Sequence, residues 1–145
     1  MFVRQISVFV ENVRGTLRKI TKLIGDAGID ILALSVADTA NFGIVRMIVR
    51  EADIEKGLKV LKDAGCPART NRVVCVCVPN RPSGLDEVLA VIDESDVSIE
   101  YLYSFNYSAD GQALIIFRLS DTEAGAKLLL DNGIVLFTQE EVNAL

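Results

Sequence analysis

The 145-residue chain has no histidine, no tryptophan, three cysteines and three prolines, and aromatic residues make up 6%. Without histidine there is no Ser-His or Cys-His nucleophile pair and no imidazole general base. Carboxylate or lysine chemistry stays open, but no nucleophile–base pair can be assembled, and no catalytic residue or cofactor is expected. Cys66, Cys75 and Cys77 lack partner ligands, because there is no second cysteine pair at zinc spacing. An odd count also argues against a secreted disulfide scaffold. Cys75 and Cys77 are two apart in Val73-Val74-Cys75-Val76-Cys77-Val78 and share one strand face, where they read as small buried hydrophobes. No apolar run approaches the roughly 20 residues that span a bilayer, so no membrane partner is expected. Met1 to Gln5 leads straight into an alternating strand pattern without a secretory layout, which makes the cytoplasm the expected compartment.

Charge is unevenly spread. The net charge is −5. Residues 1–72 hold 12 Lys and Arg against 8 Asp and Glu, and residues 73–145 hold 3 against 12, giving +4 and −9. The acidic half disfavours nucleic acid, whose phosphates require basic surface. Contact between unlike halves, within the chain or across a homodimer, is one reading of the split; solvated faces are the other, since exposed ion pairs contribute only about 0–1 kcal/mol each.

What the chain does have is an internal repeat. At an offset of 68, Asn12 falls on Asn80, Leu17 on Leu85, Ile24 on Ile92, Ile31 on Ile99, Gly43 on Gly111, Ile48 on Ile116, Leu61 on Leu129 and Gly65 on Gly133, with no gap. Two copies of one folded unit are implied, over 1–72 and 73–145. A lone unit of about 60 residues buries only about 60% of its surface and is marginal, so the copies are expected to share a surface.

Within the first copy, residues 5–11 alternate as a strand. After the turn Asn12 to Gly15, Leu17, Ile20, Ile24 and Ala27 follow helical spacing, closed by a left-handed Gly28 whose counterpart is Asp96. Strands are expected over 29–36 and 43–50 with a loop at 38–41, then a helix capped by Asp53 and ended by Gly65, then a weak strand over 66–72. The second copy repeats the order. Strands are expected at 73–78, 97–105, 113–117 and 134–137, capping boxes at Ser83/Asp86 and Ser120/Glu123, and a tail from Glu140. The unit is strand–helix–strand–strand–helix–strand. This predicts an α+β class: two ferredoxin-like βαββαβ units, antiparallel sheets with helices on one face, with exchange of a terminal strand between copies possible.

That fold serves many functions, so the site residues must choose among them. There is no Arg-bearing phosphate loop, no Cys-x-x-Cys in the first loop, and no exposed aromatic set on Val45-Arg46-Met47-Ile48-Val49 for RNA. The first loop, Val10-Glu11-Asn12-Val13-Arg14-Gly15-Thr16-Leu17, instead resembles that of the ACT domains, small regulatory domains that bind amino acids and related effectors. It recurs as Val78-Pro79-Asn80-Arg81-Pro82-Ser83-Gly84-Leu85, and the steps Gly28-Ile29-Asp30-Ile31 and Asp96-Val97-Ser98-Ile99 strengthen it. The chain is similar to stand-alone tandem ACT proteins without a catalytic domain. Gly15 aligns with Ser83 and Asp30 with Ser98, so the copies depart from each other.

The resemblance implies ligand-binding residues Glu11, Asn12, Gly15, Thr16, Leu17, Asp30 and Ile31 in copy one, and Asn80, Ser83, Gly84, Leu85, Ser98 and Ile99 in copy two, at a seam between units. The chemistry fits. The loop delivers free backbone N–H groups at a helix start, which favours a carboxylate. Gly15, Ser83 and Gly84 leave the backbone approachable. Asn12 and Asn80 offer a donor and an acceptor, and Asp30 or Ser98 an acceptor for an ammonium. Tyr101, Tyr103 and Phe105 share a strand face, as apolar packing or as an aromatic wall. The implied function is a non-catalytic regulator that binds an amino acid or aromatic acid effector and is read by a partner enzyme or regulator. The alternative is a ligand-independent protein–protein assembly module. A homodimer is expected, because exposed strand edges tend to be paired or covered.

Overall fold

The computed structural model describes residues 1–39 and 41–145, and of residue 109 only the backbone. The chain divides into two compact units, Arg4–Asn71, and Met1–Val3 together with Arg72–Leu145. The N-terminal unit holds β1 (Val3–Glu11) from Arg4 onward, α1 (Thr16–Asp26), β2 (Ala33–Asp38), β3 (Phe42–Ile48), α2 (Glu51–Asp63) and the start of β4 (Ala68–Pro79). The C-terminal unit holds the rest of β4, then α3 (Gly84–Asp93), β5 (Ile99–Ala109), β6 (Gln112–Leu119), α4 (Thr122–Asp131), β7 (Leu136–Phe137) and α5 (Gln139–Asn143). Strand order is β2-β3-β1-β4 in the first and β5-β6-β4-β7 in the second. The antiparallel pairings and the helix positions give the expected ferredoxin-like topology twice. None of the described helices is long and apolar enough to cross a membrane.

Strand alternation sets each core. In β1, Ile6 and Val8 point to the helices and pack with Ile20 and Ile24 of α1, Val45 and Met47 of β3, and Ile54 and Leu61 of α2, all fully buried. The counterpart cluster includes Val74, Val76, Val88, Ile92, Phe117 and Leu129. Each such side chain contributes about 1.5–3 kcal/mol by leaving water. Gly57 in α2 and Gly125 in α4, 68 apart, let both helices lie close. A Cβ at Gly57 would meet Ile6 Cδ1 at 3.3 Å, and one at Gly125 would meet Leu119 Cδ1 at 2.3 Å.

The opposite sheet faces differ between copies. In the first, Gln5 and Ser7 are buried, with Gln5 Nε2 donating to Ser7 Oγ (2.9 Å) and Ser7 Oγ to Asn71 Oδ1 (3.1 Å). The corresponding residues of the second, Val73 and Cys75, are fully buried and apolar. Burial first, then Cys77 and Glu141, pushes the Cys75 thiol from 9.0 up to about 12.

Several sequence expectations are corrected. The gapless register fails in one place. Val8 faces Val45, but Val76 faces Ile115, two positions beyond what an offset of 68 demands. The β5–β6 hairpin is longer, and Asp110 (φ 53°) and Gly111 (φ 71°) form a two-residue turn between paired Ala109 and Gln112. Gly111 is thus a turn residue, whereas Gly43 lies in β3 opposite Val10. The second strand begins at Ala33 rather than residue 29, because Ile29 N–H closes the helix end on Ile24 O while Gly28 N–H bonds Gly25 O. Likewise β5 begins at Ile99 and not 97. Asp96 is not left-handed, since among described residues only Ser83 and Asp110 are non-glycines with positive φ. Instead Ser95 Oγ donates to Ile92 O and accepts from Val97 N–H.

The expected caps also shift. Asp53 lies inside α2, which Arg50 precedes without a side-chain cap. Ser83 makes no cap hydrogen bond. Asp121, not Ser120, caps α4 by accepting from Glu123 N and Ala124 N, and Ser120 Oγ accepts from Ser98 N–H. The expected strand at 66–72 is the first part of β4, one 12-residue strand. The tail is a helix opened by a Thr138/Glu141 capping box. The expected loop at 38–41 includes residue 40, which lies outside the described residues.

Candidate functional site

The first loop of each unit is built alike. Val13 N–H bonds Glu11 O (2.9 Å) and Thr16 N–H bonds Val13 O (3.3 Å); in the second unit Arg81 N–H bonds Pro79 O (2.9 Å) and Gly84 N–H bonds Arg81 O (3.0 Å). Both helices then start from a left-handed residue, Gly15 (φ 88°) or Ser83 (φ 64°). The two asparagines anchor the loop. Asn12 Nδ2 donates to Asp38 Oδ1 (2.9 Å) and Asn12 N–H to Asn41 O (3.3 Å). Asn80 Nδ2 donates to Ser108 Oγ (3.1 Å) and Asn80 N–H to Gly111 O (2.8 Å). Each side-chain amide thus uses one of its N–H groups to tie the loop to the adjoining hairpin.

Beside each loop lies a cleft. In the N-terminal unit, about 660 Å³ is enclosed by Phe9, Val10, Glu11, Val13, Arg14, Gly15, Thr16, Lys19, Phe42 and Gly65 to Pro67. In the C-terminal unit, about 570 Å³ is enclosed by Cys77, Pro79, Glu87, Val88, Val91, Gln112 and Asn132 to Val135. These are the same place in the fold. Both open between the end of the first strand, the first helix and the segment entering the last strand, and both volumes fall in the roughly 300–1,000 Å³ range of small-molecule sites. Arg69 lies over the Phe9 ring, 5.2 Å from its centre.

Of the residues expected from sequence, Glu11, Gly15 and Thr16 line the first cleft, while Asn12 and Leu17 do not. None of Asn80, Ser83, Gly84 and Leu85 lines the second. Asp30 and Ile31 follow the far end of α1, whose 11 residues span about 16 Å at 1.5 Å each, so one unit does not bring them to its own loop. Asp30 instead pairs with Arg50 at 3.4 Å, and Lys22 with Asp26 at 2.6 Å. Ser98 and Ile99 line a separate depression with Asp86, Asp93 and Asp96 at the end of α3. In the aromatic trio, Tyr103 and Phe105 are buried and Tyr101 stacks on Tyr103 with centroids 6.5 Å apart. That is sheet packing.

Sequence reasoning missed Phe9, Phe42, Arg14 and Lys19. The signal was there: an outward Phe in β1, flanked by an Arg and a Lys across the loop. Burial raises the Cys77 thiol, so at neutral pH the second cleft presents a neutral thiol rather than a thiolate. Among the described residues no cluster of three or more His, Cys, Asp and Glu side chains is placed to hold a metal ion.

The comparisons with known proteins agree with this architecture. A protein of Bacteroides thetaiotaomicron is 32% identical over 100% of this chain and 98% of its own, with a TM-score of 0.88. The ligand-free regulatory subunit of aspartate kinase from Thermus thermophilus is 14% identical, over 88% of this chain and 91% of its own, with a TM-score of 0.64. The corresponding subunit from Thermus flavus is 12% identical, over 88% and 90%, at 0.60. These last two speak for the fold alone. No curated protein matches the chain. The family described as an ACT domain pair matches residues 1–145, and the chain belongs to it.

Proposed function

We propose that the chain is a non-catalytic regulatory protein whose effector is an amino acid or a related small carboxylate, bound in the cleft beside the first loop. The supporting observation is the recurrence of one cleft at one place in both units, between the end of the first strand, the first helix and the segment entering the last strand. Membership of a family of regulatory amino-acid-binding domains supports the reading. The N-terminal cleft adds chemistry, with Arg14 and Lys19 for a carboxylate, Glu11 for an ammonium, and Phe9 and Phe42 for an apolar body. Binding would favour one arrangement of the loop and helix, and a partner enzyme or regulator would read that change. The test is thermal shift and calorimetry of the full chain against the twenty amino acids and the aromatic and branched 2-oxo acids. A saturable response to at least one supports the reading, and silence from all of them removes it.

Ligand-independent assembly is the second reading. Its observation is the pair of half-exposed side chains Leu34 (40%) and Val36 (50%) on the outer strand β2. A stable partner captured equally well with and without added amino acids would favour it.

A further inference from the structure

The two clefts coincide in the fold but not in chemistry. Lys19 in the first corresponds to Glu87 in the second, a reversal of charge at one position of one helix. Phe9 corresponds to Cys77. With the two-residue slip in the hairpin, Phe42 corresponds to Gln112. Arg14 corresponds to Pro82, and the arginine of the second loop is Arg81. That arginine is already engaged, because Arg81 Nη2 donates to Glu87 Oε1 at 2.8 Å and to Oε2 at 2.9 Å. Glu87, which lines the second cleft, is thus already held by Arg81 of the adjoining loop, which does not line it. In the first, Arg14 and Lys19 have no carboxylate partner among the described residues.

The backbones differ as well. A Cβ placed at Gly15 would meet nothing within 4 Å, so that loop is open to approach. At Gly84, whose counterpart Thr16 carries a Cβ, a Cβ would lie 2.0 Å from Pro79 O, so the second loop sits tighter against the end of its first strand.

We infer that the clefts divide the labour. The N-terminal cleft is the effector site and takes a small carboxylate with an aromatic or branched apolar body, one per chain. In the C-terminal cleft Glu87 stands in for that carboxylate and holds the loop closed. A carboxylate ligand there would have to displace an internal pair in which one guanidinium nitrogen serves both Glu87 oxygens, while facing Glu87 itself. Like-charge repulsion and the lost charge-assisted Arg81–Glu87 contact both oppose it. In the N-terminal cleft two unengaged cations and one carboxylate leave an excess of positive charge, so an anion gains where a neutral isostere does not.

This inference rests on the proposed carboxylate-binding function, and one experiment separates the two. Full chain is titrated calorimetrically with L-phenylalanine, phenylpyruvate, L-leucine and 4-methyl-2-oxopentanoate as probes, at low salt. The expected stoichiometry is one per chain. Lys19→Glu, an exposed change expected to leave the melting curve in place, weakens binding at least about tenfold, the cost of one charge-assisted contact. Glu87→Lys frees Arg81 and raises the stoichiometry towards two. The pairs of amino acid and oxo acid decide whether the ligand is a zwitterion or a simple anion. Two equal sites in the wild type, or binding that survives Lys19→Glu and is lost in Glu87→Lys, would overturn the division of labour while leaving carboxylate binding intact. No binding by any probe would overturn both.

Discussion

Gly84 sits so close to Pro79 that a Cβ in its place would stand 2.0 Å from the Pro79 carbonyl oxygen and 3.0 Å from its carbon. The obstacle is backbone, which cannot swing aside like a side-chain end. Gly84→Ala must therefore displace the turn, at the roughly 1–3 kcal/mol typical of overpacking or more. A denaturant melt at constant m-value checks this, since a change in midpoint alone reports stability. The neighbouring residue should behave in the opposite way. Ser83 is a non-glycine at φ 64°, a conformation that costs an L-residue roughly 1–2 kcal/mol. Ser83→Gly relieves that and gives back part of it through the freer unfolded chain, leaving a gain of up to about 1 kcal/mol. Gly15→Ser, at φ 88°, should lose a comparable amount.

The glycines of α2 and α4 should part company. Gly57→Ala places a methyl 3.3 Å from the flexible end of Ile6, and alanine adds up to about 1 kcal/mol of helix propensity, so the net effect is close to zero. Gly125→Ala places it 2.3 Å from Leu119 Cδ1, inside a fully buried cluster. Overpacking wins there, and a drop in melting temperature is expected for Gly125→Ala alone.

Alkaline pH should weaken the C-terminal unit through Cys75. Its thiol is held protonated to about 12 when folded, whereas an unfolded cysteine ionises near 8.5. The folded state then binds more protons than the unfolded one across that window. Stability is full below about pH 8.5 and falls as pH rises towards about 12. Cys75→Ala lowers stability at neutral pH by removing packed sulfur, yet makes the alkaline slope shallower. Melts of both proteins at pH 7, 9 and 10.5 give the difference.

Acid acts at α5. Hydrogen bonds from the Thr138 backbone and hydroxyl lower the Glu141 pKa. Its contribution is present above the ordinary glutamate range, near 4.3, and is lost as pH falls through the folded value. Thr138→Ala removes the cap at a cost of typically about 1 kcal/mol. Faster amide exchange over residues 139–143, with the rest of the chain unchanged, is the expected reading.

Asn12→Ala should matter for the loop before it matters for chemistry. Its amide donates to Asp38 and no part of it lines the cleft. The variant is expected to lose roughly 0.5–1.5 kcal/mol of stability, the net worth of a hydrogen bond, and to weaken effector binding only as far as the loop loosens. Arg14→Ala should do the reverse, leaving stability within about 0.5 kcal/mol as exposed substitutions do and weakening binding directly.

The repeat was legible because the core positions Ile24 and Ile92, Leu61 and Leu129, and the helix-ending glycines 65 and 133 are constrained alike in both copies. The slip between Val45 and Ile115 was not, because a shift of two keeps every side chain on its face and leaves the hydrophobic pattern unchanged. Ile29, Asp30 and Ile31 read as strand by composition, yet Ile29 is taken by the helix end before any ladder can form. Residues 66–72 read poorly because β4 runs on into the second copy, and its length, not its local propensity, carries it. At the site, Asn12 and Asn80 stood out through their spacing, and each ties its loop to the adjoining hairpin. Phe9 and Lys19 were hidden because an outward aromatic and a helical lysine look like ordinary surface until the fold sets them around one cavity.

The central claim is that a small carboxylate occupies the cleft next to Gly15. Amide chemical-shift mapping of the full chain during titration with phenylpyruvate or L-phenylalanine tests it most directly. The account predicts saturable shifts at Gly15, Thr16, Lys19 and Gly65 to Cys66, with Arg81 to Leu85 undisturbed. Shifts centred on Arg81 to Leu85, or on Ser98 and Ile99, or no saturable shift with any of the amino acids and oxo acids, would contradict it.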